Sequence, residues 1–457
     1  MGGRNILVVS IAVMCLVFFA LQNAGAKSKF QEYQDSLFVQ IPVKPGDVVN
    51  KSNYQLIKDL VPKKFLEYVK NGQYVLTIGK YEYDAECDEE WMQASAKNRG
   101  KYDIHPKSGE IIEKASGKYP RYMYGFPFPT IDPKDTFAGS KILFNHKAHE
   151  YRGASTDQHA ALALVGERTG FEREIIAYWQ RYRYWCRPDG EQPNPAGLLS
   201  MQFTATLGPY DLAGTLNLLR RPLGDKPDAQ FTYIPAVRRI RRLGAADRSQ
   251  PSLGTDAVRD DTTGWSGRNY TMNWKLIREQ LSLQSVTDWV AKNIEDMVEQ
   301  PDGSWETVPR PGPIKMGYQT GVGASWSITN CIWIPVEVYV VEALAKDPYY
   351  AYGKTNYWIE KRTGTSIFKE ITNRAGEQWK TAHFGFLWDR FWTGKPGGPK
   401  ITNSEGTFWH YIDDRLGHAT LYDGMSDRSY KTYPVLFMSP DLNPSMFTLR
   451  YMRSMAK

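Results

Sequence analysis

REIIAYWQRYRYW, Arg173 to Trp185, is the stretch on which the fold turns. Ile175, Ala177, Trp179, Arg181 and Arg183 alternate along it with Ile176, Tyr178, Gln180, Tyr182 and Tyr184. Successive side chains of a strand leave on opposite sides of the sheet, so both faces here carry bulk. That pattern suits a wide, curved sheet whose hollow is covered. Thr169 and Gly170 form a turn signal between this run and a second β-like run, HAALALVGER, His159 to Arg168.

Working outward, strands are predicted for GLLSMQFTATL (Gly197 to Leu207), GTLNLLRR (Gly214 to Arg221), FTYIPAVRRIRRL (Phe231 to Leu243) and YTMNWKLIREQ (Tyr270 to Gln280). CIWIPVEVYVVEALA (Cys331 to Ala345), TNYWIEKR (Thr355 to Arg362) and SIFKEITN (Ser366 to Asn373) continue the series. Short polar turns and few helices separate them, which argues for antiparallel meanders over strand-helix-strand crossovers. Within Phe231 to Leu243, Pro235 cannot donate to a ladder, so a bend is expected, with the strand restarting at Val237. Val237 and Ile240 then pack inward while Arg238, Arg239, Arg241 and Arg242 project outward. Two readings fit those arginines: a solvated or carboxylate-paired strand face, or a basic ridge that docks a partner protein or an acidic head group.

Toward the N-terminus, Ser52 is a cap for a helix carrying Leu56 to Val69, bent at Pro62 and ended by Asn71 and Gly72; QYVLTIG, Gln73 to Gly79, follows as a strand. The acid-rich region Tyr81 to Tyr119 reads as a surface excursion with a hairpin about Pro106 to Gly109. Asp132 and Pro133 predict the start of a helix that runs to about Tyr151. A further helix is predicted over Val286 to Gln300, loops over Pro301 to Gly323 and Thr393 to Gly406, and a short helix opening near Asn443 to Ser445.

The chain of 457 residues is long enough for one large or two ordinary domains. Met1 to Ala26 reads as a secretory signal: Arg4, an apolar run from Ile6 to Leu21, and small residues at Ala24 to Ala26. Met14, before Cys15, does not fit a lipid-anchor signal. Without the signal the formal charge falls from +7 to +6, a mild excess that permits peripheral contact with anionic lipid. No strand or helix concentrates base with stacking aromatics as a nucleic-acid module does. Cys87, Cys186 and Cys331 allow one disulfide in an oxidising compartment, and Cys186 with Cys331, both beside aromatic strands, is the favoured pair.

Catalytic signals are sparse. Phosphate loop, nucleophile elbow and dinucleotide fingerprint are all absent, so no cofactor is expected. His146 and His149 share a helix face without an acid at ligand spacing, so no metal site is assigned. WHYIDDRLGH, Trp409 to His418, gathers His410, Asp413, Asp414 and His418, which reads as a charged turn or, alternatively, as a general acid-base group. No catalytic residue is assigned. Aromatics make up 13% of the chain, and Trp179, Phe203, Phe231, Tyr233, Trp274, Trp333, Tyr339 and Trp358 lie along the strands. They are either packed core or the lining of a hollow that keeps a lipid-like ligand dry.

Four blocks carry a family resemblance. The tyrosine-x-proline and paired arginines of Tyr233 to Arg242, GFPFP (Gly125 to Pro129), DDTTGWSGRNYTMNWKL (Asp260 to Leu276) and IPVEVYVVEALAKDPYYAYGKTNYWIEKRTG (Ile334 to Gly364) resemble, in order and spacing, the periplasmic domain of unknown function 1329, described as outer-membrane-lipoprotein-sorting-like. The resemblance implies an α+β fold: a large curved antiparallel sheet, an incomplete barrel like those of the carriers LolA and LolB, with helices covering its concave face. With the signal read over 1–26 and a lead-in over 27–120, the resemblance implies a half-barrel domain over 121–457 with an insertion near 301–323. The implied role is a non-enzymatic periplasmic carrier or docking factor for a hydrophobic or lipid-like substrate, associated with the outer membrane and working beside a resistance-nodulation-division exporter and an outer-membrane partner. The alternatives are a structural or partner-docking periplasmic protein without cargo and a periplasmic hydrolase.

Overall fold

The computed structural model describes residues 28–81, 87–244, 246–287, 298–302, 304–306, 314–392, 400–423 and 436–456. Its helices are α1 (Lys29–Phe38), α2 (Lys63–Lys70), α3 (Glu89–Lys97), α4 (Ala138–Tyr151), the single turn α5 (Gly317–Thr320) and α6 (Leu449–Met455). Four short strands come first: β1 (Val48–Val49), β2 (Leu76–Ile78), β3 (Tyr102–Ile104) and β4 (Ile111–Glu113). One meander follows, of β5 (Ser155–Gly166), β6 (Gly170–Arg183), β7 (Leu198–Gly208), β8 (Leu216–Pro222), β9 (Ala229–Ile234) and β10 (Arg239–Leu243). A second contains β11 (Met272–Val286), β14 (Ile332–Ala345), β15 (Lys354–Glu360), β16 (Ser366–Thr372), β17 (Gln378–Trp392), β18 (Lys400–Asp413) and β19 (His418–Asp423). The two-residue strands β12 (Val298–Glu299), β13 (Trp305–Glu306) and β20 (Leu436–Phe437) pair in that order, and β20 joins the start of β5, with Leu436 opposite Asp157.

Antiparallel pairing joins neighbours throughout both meanders, as the short polar turns predict. The seam between them is β5 against β19, from His418 opposite Gly166 to Asp423 opposite Ala161. The second meander curls until the end of β11 meets β17: Val286 lies opposite Phe386, and Thr287 N donates to Phe386 O at 3.1 Å. At the far end β10 pairs with β9 alone among the described residues, so the sheet is an incomplete barrel. The fold is thus α+β with one large curved antiparallel sheet.

Both faces of the sheet are covered, and different segments cover them. On one face Phe65 of α2 is fully buried, with its ring centroid 4.8 Å from that of Tyr74, 5.3 Å from Trp333, 5.0 Å from Phe368 and 5.5 Å from His383. On the opposite face lie α4 and segment 246–271, and Ile142 and Leu143 pack with Trp265, Trp274 and Tyr357. Gly139 brings α4 against β11, where an added Cβ would stand 2.8 Å from Lys275 N and 2.9 Å from the Trp274 carbonyl carbon. Alanine there gains roughly 1 kcal/mol of helix propensity but forces two backbones apart, an overpacking cost of about 1–3 kcal/mol. Gly139→Ala is therefore expected to lower stability by up to about 2 kcal/mol in urea denaturation.

Several expectations are corrected. Helix α4 starts at Ala138, not Asp132, because the Asp132 and Asp135 carboxylates accept from Lys134 N at 2.9 Å and Phe137 N at 2.7 Å and hold turns instead. The helix predicted from Ser52 is a 3-10 turn, Tyr54–Ile57, then α2 after Pro62, whose ring removes the continuing backbone donor. Pro235 does not bend one strand: Pro235–Val237 is a 3-10 turn, Arg238 is left-handed at φ 48°, and β9 and β10 form a hairpin. Val237 consequently points to solvent instead of packing inward. Cys186 and Cys331 are not bridged, since they sit in different hydrophobic clusters. The predicted signal lies outside the described residues, as does 288–297 of the helix predicted over Val286 to Gln300; the described ends of that stretch are strand instead, Val286 closing β11 and Val298–Glu299 forming β12. The hairpin expected about Pro106 to Gly109 is β3 and β4.

Candidate ligand-binding site

Alternation along β6 builds the site. Tyr178 and Tyr182 pack with the cluster under α6, whereas Ala177 and Trp179 line a half-open hollow of about 160 Å³ on the other face. Register places Trp409 of β18 opposite Tyr422 of β19, with ring centroids 4.0 Å apart and planes at 16°. Trp179 stacks on Tyr422 at 5.1 Å and 5°, so three parallel rings floor the hollow. Leu162 and Leu219 extend the apolar wall, and Thr204, Asn217 and Gln230 supply polar points. A cavity of this size suits a ring or a short run of methylenes, below the roughly 300–1,000 Å³ of sites that enclose drug-sized ligands.

Segment 246–271 roofs the hollow with Leu253, Ala257 and Val258, and buried charges tie the roof down. The Asp261 carboxylate accepts from the Lys369 ammonium, from the Tyr352 hydroxyl at 2.6 Å and from Val258 N at 2.8 Å. Burial pulls the Lys369 ammonium below the ordinary lysine range, and Asp261 opposes that shift. Asp260 accepts from Arg248 and from Tyr350 at 3.1 Å. The acidic loop thus meets one nearby arginine, and because Arg259–Asp261 is a 3-10 turn and not an extended segment, its rotation sends the two adjacent acids to different partners.

Asp256 forms the third tie, with Thr420 Oγ1 and His418 Nδ1 each 2.7 Å from its Oδ2. The hydrogen bond to Asp256 raises the His418 pKa, with Glu172 3.3 Å from the other ring nitrogen. A histidine whose folded pKa is raised adds stability that is complete below its unfolded value of about 6.5 and is lost as pH rises through the raised value. Hydrogen exchange in 252–258, corrected for intrinsic rate, is therefore expected to show greater protection at pH 6 than at pH 9. His418→Gln should flatten that difference.

The sequence-selected aromatics do not converge. Of the eight, Trp179 lines this hollow. Phe203, Phe231 and Tyr233 pack in the cluster beneath α6, where Phe203 meets Tyr451 edge-on at 5.3 Å and the Tyr233 hydroxyl donates to Ala456 O at 3.2 Å. Trp274 and Tyr339 lie in the cluster that α4 covers, and Trp333 and Trp358 in the core around Phe65. Aromaticity is all they share, and strand alternation sends them to different faces. Arg238, Arg239, Arg241 and Arg242 are exposed on the β9–β10 hairpin, away from the hollow.

Trp409 and Tyr422 escaped the sequence reading because β17 to β19 were not recognised. Their signal was present: Trp409 and Tyr411 alternate with Phe408, His410 and Ile412. The WHYIDDRLGH residues diverge as well. His410 is buried near Tyr74 and His383, and burial lowers its pKa to about 3. Asp413 accepts from Arg415 N and Leu416 N at 3.1 Å, holding a turn, while Asp414 accepts from Tyr68. His146 Nδ1 lies 2.7 Å from Gly364 O, and no metal-binding cluster occurs among the described residues. No helix among them is long and apolar enough to cross a membrane.

The family model described as protein of unknown function DUF1329 matches residues 48–421, more than four-fifths of the chain. The chain belongs to the DUF1329 family. No curated protein matches this DUF1329 chain. Among solved structures, a domain from Vibrio parahaemolyticus described as an outer membrane lipoprotein-sorting protein is similar, at 14% identity and TM-score 0.45, over 70% of this chain and 100% of that one. A DUF1329 protein from Desulfovibrio piger aligns at 12% identity and TM-score 0.40 over 68% and 98%. A LolA superfamily protein from Nitrosomonas europaea aligns at 14% and 0.38 over 68% and 98%.

Proposed function

We propose that the protein is a non-enzymatic periplasmic carrier or docking factor for a hydrophobic, lipid-like substrate, associated with the outer membrane and acting beside an exporter and an outer-membrane partner. The observation that carries this reading is the stack of Trp179, Tyr422 and Trp409 on the floor of a half-open hollow whose roof is a separate segment. Flat rings offer apolar area at little conformational cost, and the polar groups that share the lining, Thr204, Asn217, Gln230 and Arg259 among them, can orient a ligand laid on those rings. A roof held by side chains, not by strand pairing, gives such a ligand a way in.

Native mass spectrometry of the purified protein tests the proposal, with an acyl or terpenoid adduct as the expected result. Absence of any adduct, together with no binding of a fluorescent lipid analogue, would overturn it. A second reading, partner docking without cargo, draws on the exposed arginines of the β9–β10 hairpin and on the seven aromatics that sit in packed clusters. It expects the same spectrum to hold the bare chain mass and the lipid analogue to stay unbound.

A further inference from the structure

Past Trp179 the same face of β6 delivers Arg181 and Arg183, and there the apolar hollow adjoins a polar annex of about 40 Å³. The two cavities share Gln202, Leu219, Thr262 and Ser266 as walls. Three guanidinium groups line the annex, those of Arg181, Arg183 and Arg221, against the one carboxyl of Glu150. Arg221 is neutralised from outside by Asp228, which accepts at 3.1 Å from Nε and 2.8 Å from Nη2. Arg181 donates to the neutral Gln158 Oε1 at 3.1 Å and lies over the Trp179 ring at 4.9 Å, spanning the junction.

Arg183 differs from both. It is 8% exposed, it sits over the Tyr151 ring at 5.4 Å, and no carboxylate among the described residues comes within 4 Å of its guanidinium. A buried cation is ordinarily paired, because desolvating it alone costs several kcal/mol. Glu150 is the nearby acid, but burial pushes its carboxyl up to about 8, so near neutral pH it is mostly protonated. The annex has room for roughly three atoms of water size, which matches a carboxylate better than the five heavy atoms of a phosphate.

We propose that the annex receives the carboxylate of a single-chain amphiphile, paired with Arg183 and flanked by Arg181, while the apolar chain lies along Trp179, Tyr422 and Trp409. This rests on the carrier reading and names the chemical class of its cargo: a fatty acid or another apolar acid. Register along one strand supplies both halves of the recognition, since Ala177 and Trp179 meet the chain where Arg181 and Arg183 meet the head.

Isothermal titration of the purified protein with octanoate and with 1-octanol tests the assignment. Octanoate is expected to bind at least about tenfold tighter, in line with the roughly 1.5–3 kcal/mol of a hydrogen bond to a charged group. Arg183→Gln should bring the two affinities to within about twofold of each other, and Arg181→Gln should reduce the preference in the same direction. The ratio of affinities is the readout, because partial unfolding of a variant lowers both alike. Equal binding by the natural protein, or an unchanged ratio in both variants, overturns the carboxylate assignment and leaves the carrier reading standing. Binding of neither ligand overturns both.

Discussion

Asp261→Ala is expected to lower the unfolding free energy by about 3–5 kcal/mol, the cost of leaving one member of a buried ion pair without its partner. Asp261 and Lys369 side chains are each 1% exposed, so the orphaned ammonium is left away from bulk solvent. The Tyr352 hydroxyl and Val258 N lose their acceptor in the same substitution. Urea denaturation followed by tryptophan fluorescence measures the change, and a loss below about 1 kcal/mol would refute the pairing as a determinant of stability. Asp261→Ala with Lys369→Met should recover a substantial part of it, because the orphaned charge is then gone. The site should feel the single substitution too: Asp261 lies on the roof of the hollow, so octanoate affinity should fall even where the chain remains folded.

Phe65→Ala is the second large effect, about 3–5 kcal/mol, from lost burial and from the cavity left among Tyr74, Trp333, Phe368 and His383. Its informative feature is what it leaves alone. Phe65 is on the face opposite the hollow, so ligand affinity per folded molecule should stay within about twofold of the natural protein. A large loss of affinity by folded Phe65→Ala would show that the two faces are coupled through the sheet.

The sheet was legible because strands such as Arg173 to Trp185 and Gly197 to Leu207 pair locally, and local alternation with turn residues encodes local pairing. What the sequence concealed was long-range. Nothing in His159 to Arg168 states that β19, some 250 residues later, completes its other edge. Strands β17 and β18 are masked by local interruptions in otherwise strand-like sequence: Gly385 breaks β17, where a Cβ would stand 2.0 Å from the Phe408 ring, and the polar opening of β18, KITNSEG, reads as a loop. The candidate site was half legible for the same reason. Trp179 was found on its strand, but Trp409, Tyr422 and the buried pairing of Asp261 with Lys369 depend on strands and segments that meet only in the folded chain. The α2 segment, which reads as part of a lead-in, buries Phe65 against Trp333 and Phe368 on the side of the sheet away from the hollow.

Strand β10 carries a consequence that holds whether or not anything docks on it. A bare edge presents unpaired peptide groups to any other chain, and proteins that leave one open commonly guard it with charge. Here Arg239, Arg241 and Arg242 stand exposed along that margin, so two copies approaching edge to edge bring like charges together. The guanidinium row is in this respect a safeguard against self-polymerisation. Exchanging the three for threonine would strip away the repulsion while improving the strand, and light scattering should then reveal growing aggregates where the natural chain stays dispersed.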